Sequence, residues 1–142
     1  MIYLGSDHGG FKLKQEIKKH LDECVIKYVD LGNLIFDKND DYPIFAKKVA
    51  VDVAKHKNSK GILICGSSHG MCIAANKVKG IRAVSVNNLV DAKLTREHNN
   101  ANVLCLSGWN LKKSLAIKIS DSWLNTKFSH ATRHKRRLNL IE

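Results

Sequence analysis

Short, mainly apolar runs alternate along this chain with longer segments in which apolar residues recur every three or four positions. The runs fall at residues 2–4, 25–31, 61–65, 81–86 and 103–106, and Ile62, Leu63 and Ile64, branched and uncharged, have the character of a strand covered on both faces. Between and after them, residues 11–21, 42–56, 71–77, 89–98 and 111–125 carry helical spacing. In the first of these, Leu13, Ile17 and Leu21 make one stripe, while Lys12, Lys14, Lys18 and Lys19 form the solvated side. Pro43 suits the first turn of the second helix. A repeated strand–helix order predicts an α/β fold, a mainly parallel five-stranded sheet with helices on both faces. Residues 34–41 are the one long irregular stretch; there is no internal repeat or low-complexity tract.

Parallel sheets bind ligands at the carboxyl ends of their strands. That rule groups Ser6, Asp7 and His8, after the first strand, with the loop after the third. There, GILICGSSHGMCIAANK joins a strand to a glycine-bounded turn and a helix. Cys65 ends the strand, and Gly66, Ser67, Ser68, His69 and Gly70 supply a turn whose N–H groups can converge on an anion. Nearby N–H dipoles favour a thiolate, so Cys65 is expected to ionise more readily than a free thiol and to act as a base or nucleophile. The bland alternative is a small core residue at a strand end.

A chain of 142 residues has room for one core, and residues 1–142 are read as one domain with a basic C-terminal segment at about 128–142. No apolar run is long enough to span a bilayer, and the start, MIYLGSDHGG, does not read as a secretory signal, so a cytoplasmic protein without a membrane partner is expected. Cys24, Cys65, Cys72 and Cys105 have no zinc-ligand or CxxC spacing and are expected to be reduced thiols, Cys72 and Cys105 in packing roles. The formal charge of +11 raises the question of nucleic acid. Most lysines are dispersed, however, only ATRHKRRLNLIE concentrates charge, and aromatic residues make up 6%, which argues against a base-stacking surface.

The segments GSDHGGFKLK, DYP, GILICGSSHGMCIAANKVKGIRA, REHNNANVL and RHKRRL occur in an order that resembles the ribose-5-phosphate isomerase B family, over essentially the whole chain. That family also holds isomerases of galactose 6-phosphate and allose 6-phosphate. The resemblance implies a three-layer Rossmann-like sandwich, a homodimer or dimer of dimers, and interconversion of ribose 5-phosphate and ribulose 5-phosphate without metal or nucleotide cofactor. It gives Cys65 the role of base between C2 and C1, Ser67 that of a proton carrier between O1 and O2, and His98 that of ring opener. It places Asp7, His8 and Asn99 on the sugar or phosphate, the N–H groups of Gly66 to Gly70 on the enediolate, and Arg133 and Arg137 on phosphate.

Departures from the family pattern are Met71, where some relatives carry an acidic base, Trp109, where an arginine is common, and Ser68 and His69 in the anion loop. Ser68 would be strained if its φ were positive. A hexose-phosphate isomerase, a non-catalytic phosphosugar sensor and a nucleic-acid binder that kept the fold are the competing readings.

Overall fold

The computed structural model describes residues 1–142. The elements run β1 (Ile2–Ser6), α1 (Phe11–Glu23), β2 (Tyr28–Asp30), α2 (Tyr42–Lys55), β3 (Lys60–Cys65), α3 (His69–Ala75), β4 (Ala83–Ser85), α4 (Leu89–Glu97), β5 (Val103–Ser107), α5 (Lys113–Asn125) and α6 (Thr132–Asn139). The five strands lie in the order β2-β1-β3-β5-β4, and every pairing is parallel. From β1 the chain first winds outward to β2, then returns to place β3 on the other side of β1. The winding direction therefore reverses between β1 and β3, which opens a crevice at their carboxyl ends.

Strand side chains alternate between faces, and both faces are covered. Leu4, Ile62, Ile64, Leu104 and Leu106 join one core with Leu13 and Ile17 of α1 and Ile119 and Trp123 of α5. Their neighbours Tyr3, Leu63, Cys65, Val103 and Cys105 join a second core with Ala46, Val49 and Val53 of α2 and Met71 of α3. This two-sided burial explains why the central strands read as continuous apolar runs. It also turns Cys65 toward α2 and α3.

Three elements differ from the periodicity reading. Residues 25–31 shorten to Tyr28–Asp30, because Val25 adopts a left-handed conformation, φ 56°, and ends α1 with Ile26 N–H donating back to Leu21 O at 2.8 Å. Helix α3 begins at His69 rather than residue 71. The basic segment forms α6, a short helix in which four of eight residues are charged and His134 and Leu138 are buried. No helix is long and apolar enough to cross a membrane.

A β-branched residue in the left-handed region costs about 1–2 kcal/mol, whereas glycine there costs about 0.5–1 kcal/mol through the unfolded chain. Val25 is 88% exposed and packs against little. Val25→Gly is expected to stabilise the protein by about 0.5–1 kcal/mol, read as a higher midpoint in denaturant at unchanged slope.

Candidate active site

The crevice is made by three backbones pressed together. An added Cβ on Gly10 would strike the Ile64 carbonyl, and one on Gly108 would strike the Gly9 carbonyl. Only glycine lets the loops after β1, β3 and β5 approach this closely. The Asp7 N–H donates to Ile64 O at 3.3 Å, Gly108 N–H to Cys65 O at 2.8 Å, and Trp109 N–H to Gly66 O at 3.1 Å. Ser107 Oγ adds a 2.6 Å bond to Gly66 O. These contacts put Asp7 and Cys65 in one pocket wall, as expected from the strand order.

Cys65 is 4% exposed. Burial is the dominant influence on its thiol and raises its pKa; backbone N–H groups of Met71, Ser68 and Ser67 pull the other way, and the Asp7 carboxylate adds to the rise. The expectation of an easily formed thiolate is thus corrected. The converging N–H groups are present, but desolvation outweighs them and favours the thiol. Met71, fully buried, lies in the second core and offers no proton acceptor.

Ser68 precedes α3 with φ 74°, the strained conformation anticipated for this position. Its hydroxyl bonds to the Ser67 carbonyl and lies 2.5 Å from Ser85 Oγ, so the side chain partly holds the turn that its backbone resists. Ser67 and Gly70 are half-buried and His69 is exposed. Tyr42, at the start of α2, covers Gly70: a Cβ there would come within 2.7 Å of its ring. The indole of Trp109 lies over Gly66, close enough that any side chain at position 66 would collide with it.

A buried polar network fixes the opposite wall. Lys14 is fully buried and donates to Asp30 Oδ1 at 2.8 Å and to Asn33 O at 2.5 Å, while Lys18 reaches Asp30 Oδ2 at 2.8 Å. Asn33 accepts from Ser6 Oγ and donates to Asp40 Oδ2 at 2.7 Å. Asp40 in turn takes the His8 backbone N–H at 3.0 Å and its ring Nδ1 at 2.6 Å. This bond to Asp40 raises the His8 pKa and favours imidazolium. Asp7, nearly buried, accepts from Gly10 N–H at 3.0 Å; burial raises its pKa, and that bond opposes the rise. Ligand atoms of Asp7, His8 and Asp40 lie within 4.8 Å of one another, but the bonds just described account for their grouping without an ion.

Asp40 and Asn33 were not singled out from sequence. They sit in or beside the irregular stretch 34–41, where a polar run was the only signal.

The other expected residues gather elsewhere. Helix α4 starts beyond the carboxyl end of β4 and runs back to feed β5, so His98 and Asn99 lie at the amino edge of the sheet. A nine-residue helix carries them about 13 Å down the strand direction from the carboxyl edge. His98 stacks on His134 with ring centroids 4.3 Å apart, and Arg133 Nε donates to His134 Nε2 at 3.3 Å. Burial lowers the His134 pKa, and the positive charges of His98, Arg133 and Arg137 lower it further. His134 thus knits the cationic group together. Within one chain, His98, Asn99, Arg133 and Arg137 form one cluster, and Asp7, His8 and the Cys65 loop form another.

A doubly wound α/β protein with a thiol and an anion turn at its switch point defines the class. Residues 2–141 match the model of the Ribose/Galactose Isomerase family, and the chain belongs to that family. It is 48% identical to the crystal structure of a ribose-5-phosphate isomerase B from Mycoplasma genitalium with bound ribulose 5-phosphate, covering 99% of this chain and 92% of that one at a TM-score of 0.94. The corresponding structure from Clostridium thermocellum is 42% identical, covering 99% and 93% of the two chains, also at 0.94. The ribose-5-phosphate isomerase B of Mycobacterium tuberculosis is 39% identical over 140 residues, 99% of this chain and 86% of that protein.

Two measurements check the site. Alkylation by iodoacetamide, followed residue by residue by mass spectrometry, should modify exposed Cys24 readily, and Cys65 only with a midpoint above that of an ordinary thiol. For Asp30, burial alone would raise the pKa, but the two lysine bonds outweigh it and lower it, even though burial also weakens the hold of Lys14 on its proton. A depressed carboxylate stabilises fully above its unfolded pKa, and this contribution is lost as pH falls through its folded value. Asp30→Asn, which leaves Lys14 buried without its counter-charge, is expected to cost about 3 kcal/mol at neutral pH. The same variant should show a shallower loss of stability toward acid pH in denaturant titrations.

Proposed function

We propose that this protein interconverts ribose 5-phosphate and ribulose 5-phosphate, as a homodimer or dimer of dimers whose sites each draw on two chains, and that it works in the cytoplasm. The observation that carries the activity is 48% identity over nearly the whole chain to an enzyme holding ribulose 5-phosphate. Cys65 stands at the carboxyl edge, and His98, Asn99, Arg133 and Arg137 stand at the amino edge of the same sheet. A second copy that brings its amino-edge cluster to the first copy's crevice completes the set. Exposed apolar residues on the intervening surface, Ile73 of α3 and Leu89, Val90 and Leu94 of α4, support such a contact.

On this reading residues 1–142 act as one isomerase domain. His98 of one chain gives a proton to the ring oxygen as the C1–O bond breaks, the anomeric hydroxyl releases its proton to solvent, and the furanose opens to the aldehyde. Cys65 of the other, as thiolate, takes the C2 proton; the electron pair moves through C1–C2 to the carbonyl oxygen and forms an enediolate. N–H groups from Gly66 to Gly70 face that oxygen, Ser67 passes a proton between O1 and O2, and the thiol returns its proton to C1. Asp7, His8 and Asn99 hold sugar or phosphate oxygens. Arg133 and Arg137 fork onto the phosphate. The two-electron rearrangement is internal, so neither metal nor nucleotide is needed.

Purified protein is expected to turn over ribose 5-phosphate faster than a six-carbon phosphosugar. Cys65→Ala should abolish turnover while keeping sugar-phosphate binding. Mixing Cys65→Ala with His98→Asn chains tests the sharing: random dimers would regain about a quarter of wild-type activity, since half the dimers would carry one intact site of two. No recovery from verified mixed dimers would place both residues of a site on one chain.

A further inference from the structure

At the amino edge of the sheet, opposite the Cys65 crevice, a cavity of about 320 Å³ lies between the loops that enter β3, β4 and β5. Lys57, Lys60, Arg82 and Arg96 line it together with the amides of Asn100 and Asn102, and no carboxylate does. We propose that this cavity binds a compact polyanion of the phosphate or pyrophosphate class, at a site separate from the substrate crevice.

Helix C-termini meet at this edge, and their carbonyls attract cations. That accounts for part of the cluster. Arg96, 7% exposed, donates to Thr126 O at 3.2 Å and to Ala101 O, and its guanidinium lies 5.4 Å from the centroid of the Trp123 ring. Lys60 is accounted for only in part, by a last-turn carbonyl of α5. Its ammonium has three donors and gives one of them to Leu124 O, at 2.6 Å. It sits 5.7 Å from the same Trp123 ring, so two cations share one indole. Neither forms an ion pair with an acid anywhere in the chain. Burial, then the charge of Arg96, pulls the Lys60 pKa down to about 8. An oxyanion against Lys60 would take its free donors and offset both penalties.

A carboxylate already marks the docking position at the rim. Glu142 pairs with Arg82 Nη1, and it is the one acid in contact with the cluster. A phosphate replacing it would meet Arg82 at the cavity that Lys60 also lines. The volume is at the lower end for small-molecule sites, which suits a small polyanion and not a polymer. Arg133 and Arg137, assigned to substrate phosphate above, do not line the cavity.

The test is calorimetric titration of the full chain with inorganic pyrophosphate, in wild type, Arg133→Gln, Lys60→Gln and Arg82→Gln. Arg133→Gln, which weakens the substrate site, should keep one equivalent bound per chain. Lys60→Gln and Arg82→Gln should each weaken that equivalent at least about tenfold, the cost of a lost charge-assisted bond, with turnover in the absence of pyrophosphate unchanged. Arg82 is half-buried at the rim, so its variant tests the site independently of any packing effect at Lys60. Pyrophosphate binding that ignores both substitutions, or vanishes in Arg133→Gln, overturns the proposal. So does capture of single-stranded RNA by the cluster in the absence of any pyrophosphate binding.

Discussion

The close approach of three loop backbones at the carboxyl edge is the constraint on which the site depends. Gly10 leaves room for the Ile64 carbonyl, Gly108 for the Gly9 carbonyl, and Gly66 for the Trp109 ring. A methyl group at Gly10 or Gly108 would meet backbone and force strands β1, β3 and β5 apart at the point where the winding reverses, whereas one at Gly66 would displace the exposed Trp109 ring. Their parallel register, Ser6 beside Ile64 and Cys65 beside Ser107, then places the chemistry. Cys65 faces Asp7 because backbones touch, rather than through any direct bond between the two side chains.

Burial sets the electrostatics on both edges. At the carboxyl edge it raises Cys65 and Asp7, and the converging N–H groups only moderate the effect. On the proposed mechanism, proton abstraction by Cys65 requires the bound substrate environment to favour the thiolate. Beside it, Lys14, Asp30, Asn33 and Asp40 form a continuous polar chain that ends on His8, so the orientation of an exposed imidazole is fixed by a fully buried lysine. At the amino edge the same desolvation lowers Lys60 and Arg96, with helix carbonyls and an indole in place of carboxylates. One sheet thus separates a buried acid pair from a buried arginine and a half-buried lysine along its strands.

Trp109 shows how the family frame is modified here. The sequence registers it as a lost arginine beside the phosphate loop. In the structure its indole is an apolar lid on Gly66 and lies near Gly9. Ser68 is a second departure, a serine held at φ 74° by its own hydroxyl bonds.

The sequence by itself determined the strand–helix alternation, the central strands and the placement of Asp7 and Cys65 on one edge, because two-face burial leaves an unbroken apolar signature and strand order dictates where loops open. The motif order carried the family. Helix α6 was not legible, since a half-charged segment with two buried residues has no periodicity to read. Nor were Asn33 and Asp40, whose function lies in bonds to residues 25 or more positions away. Only the tertiary structure decided that His98 and Arg133 stand at the opposite edge from Cys65, because that follows from the direction in which α4 crosses the sheet. It also decided the state of the thiol. N–H groups near a cysteine can be inferred from a glycine-bounded turn, but the desolvation that outweighs them depends on how tightly α2, α3 and the neighbouring strands close around the sulfur.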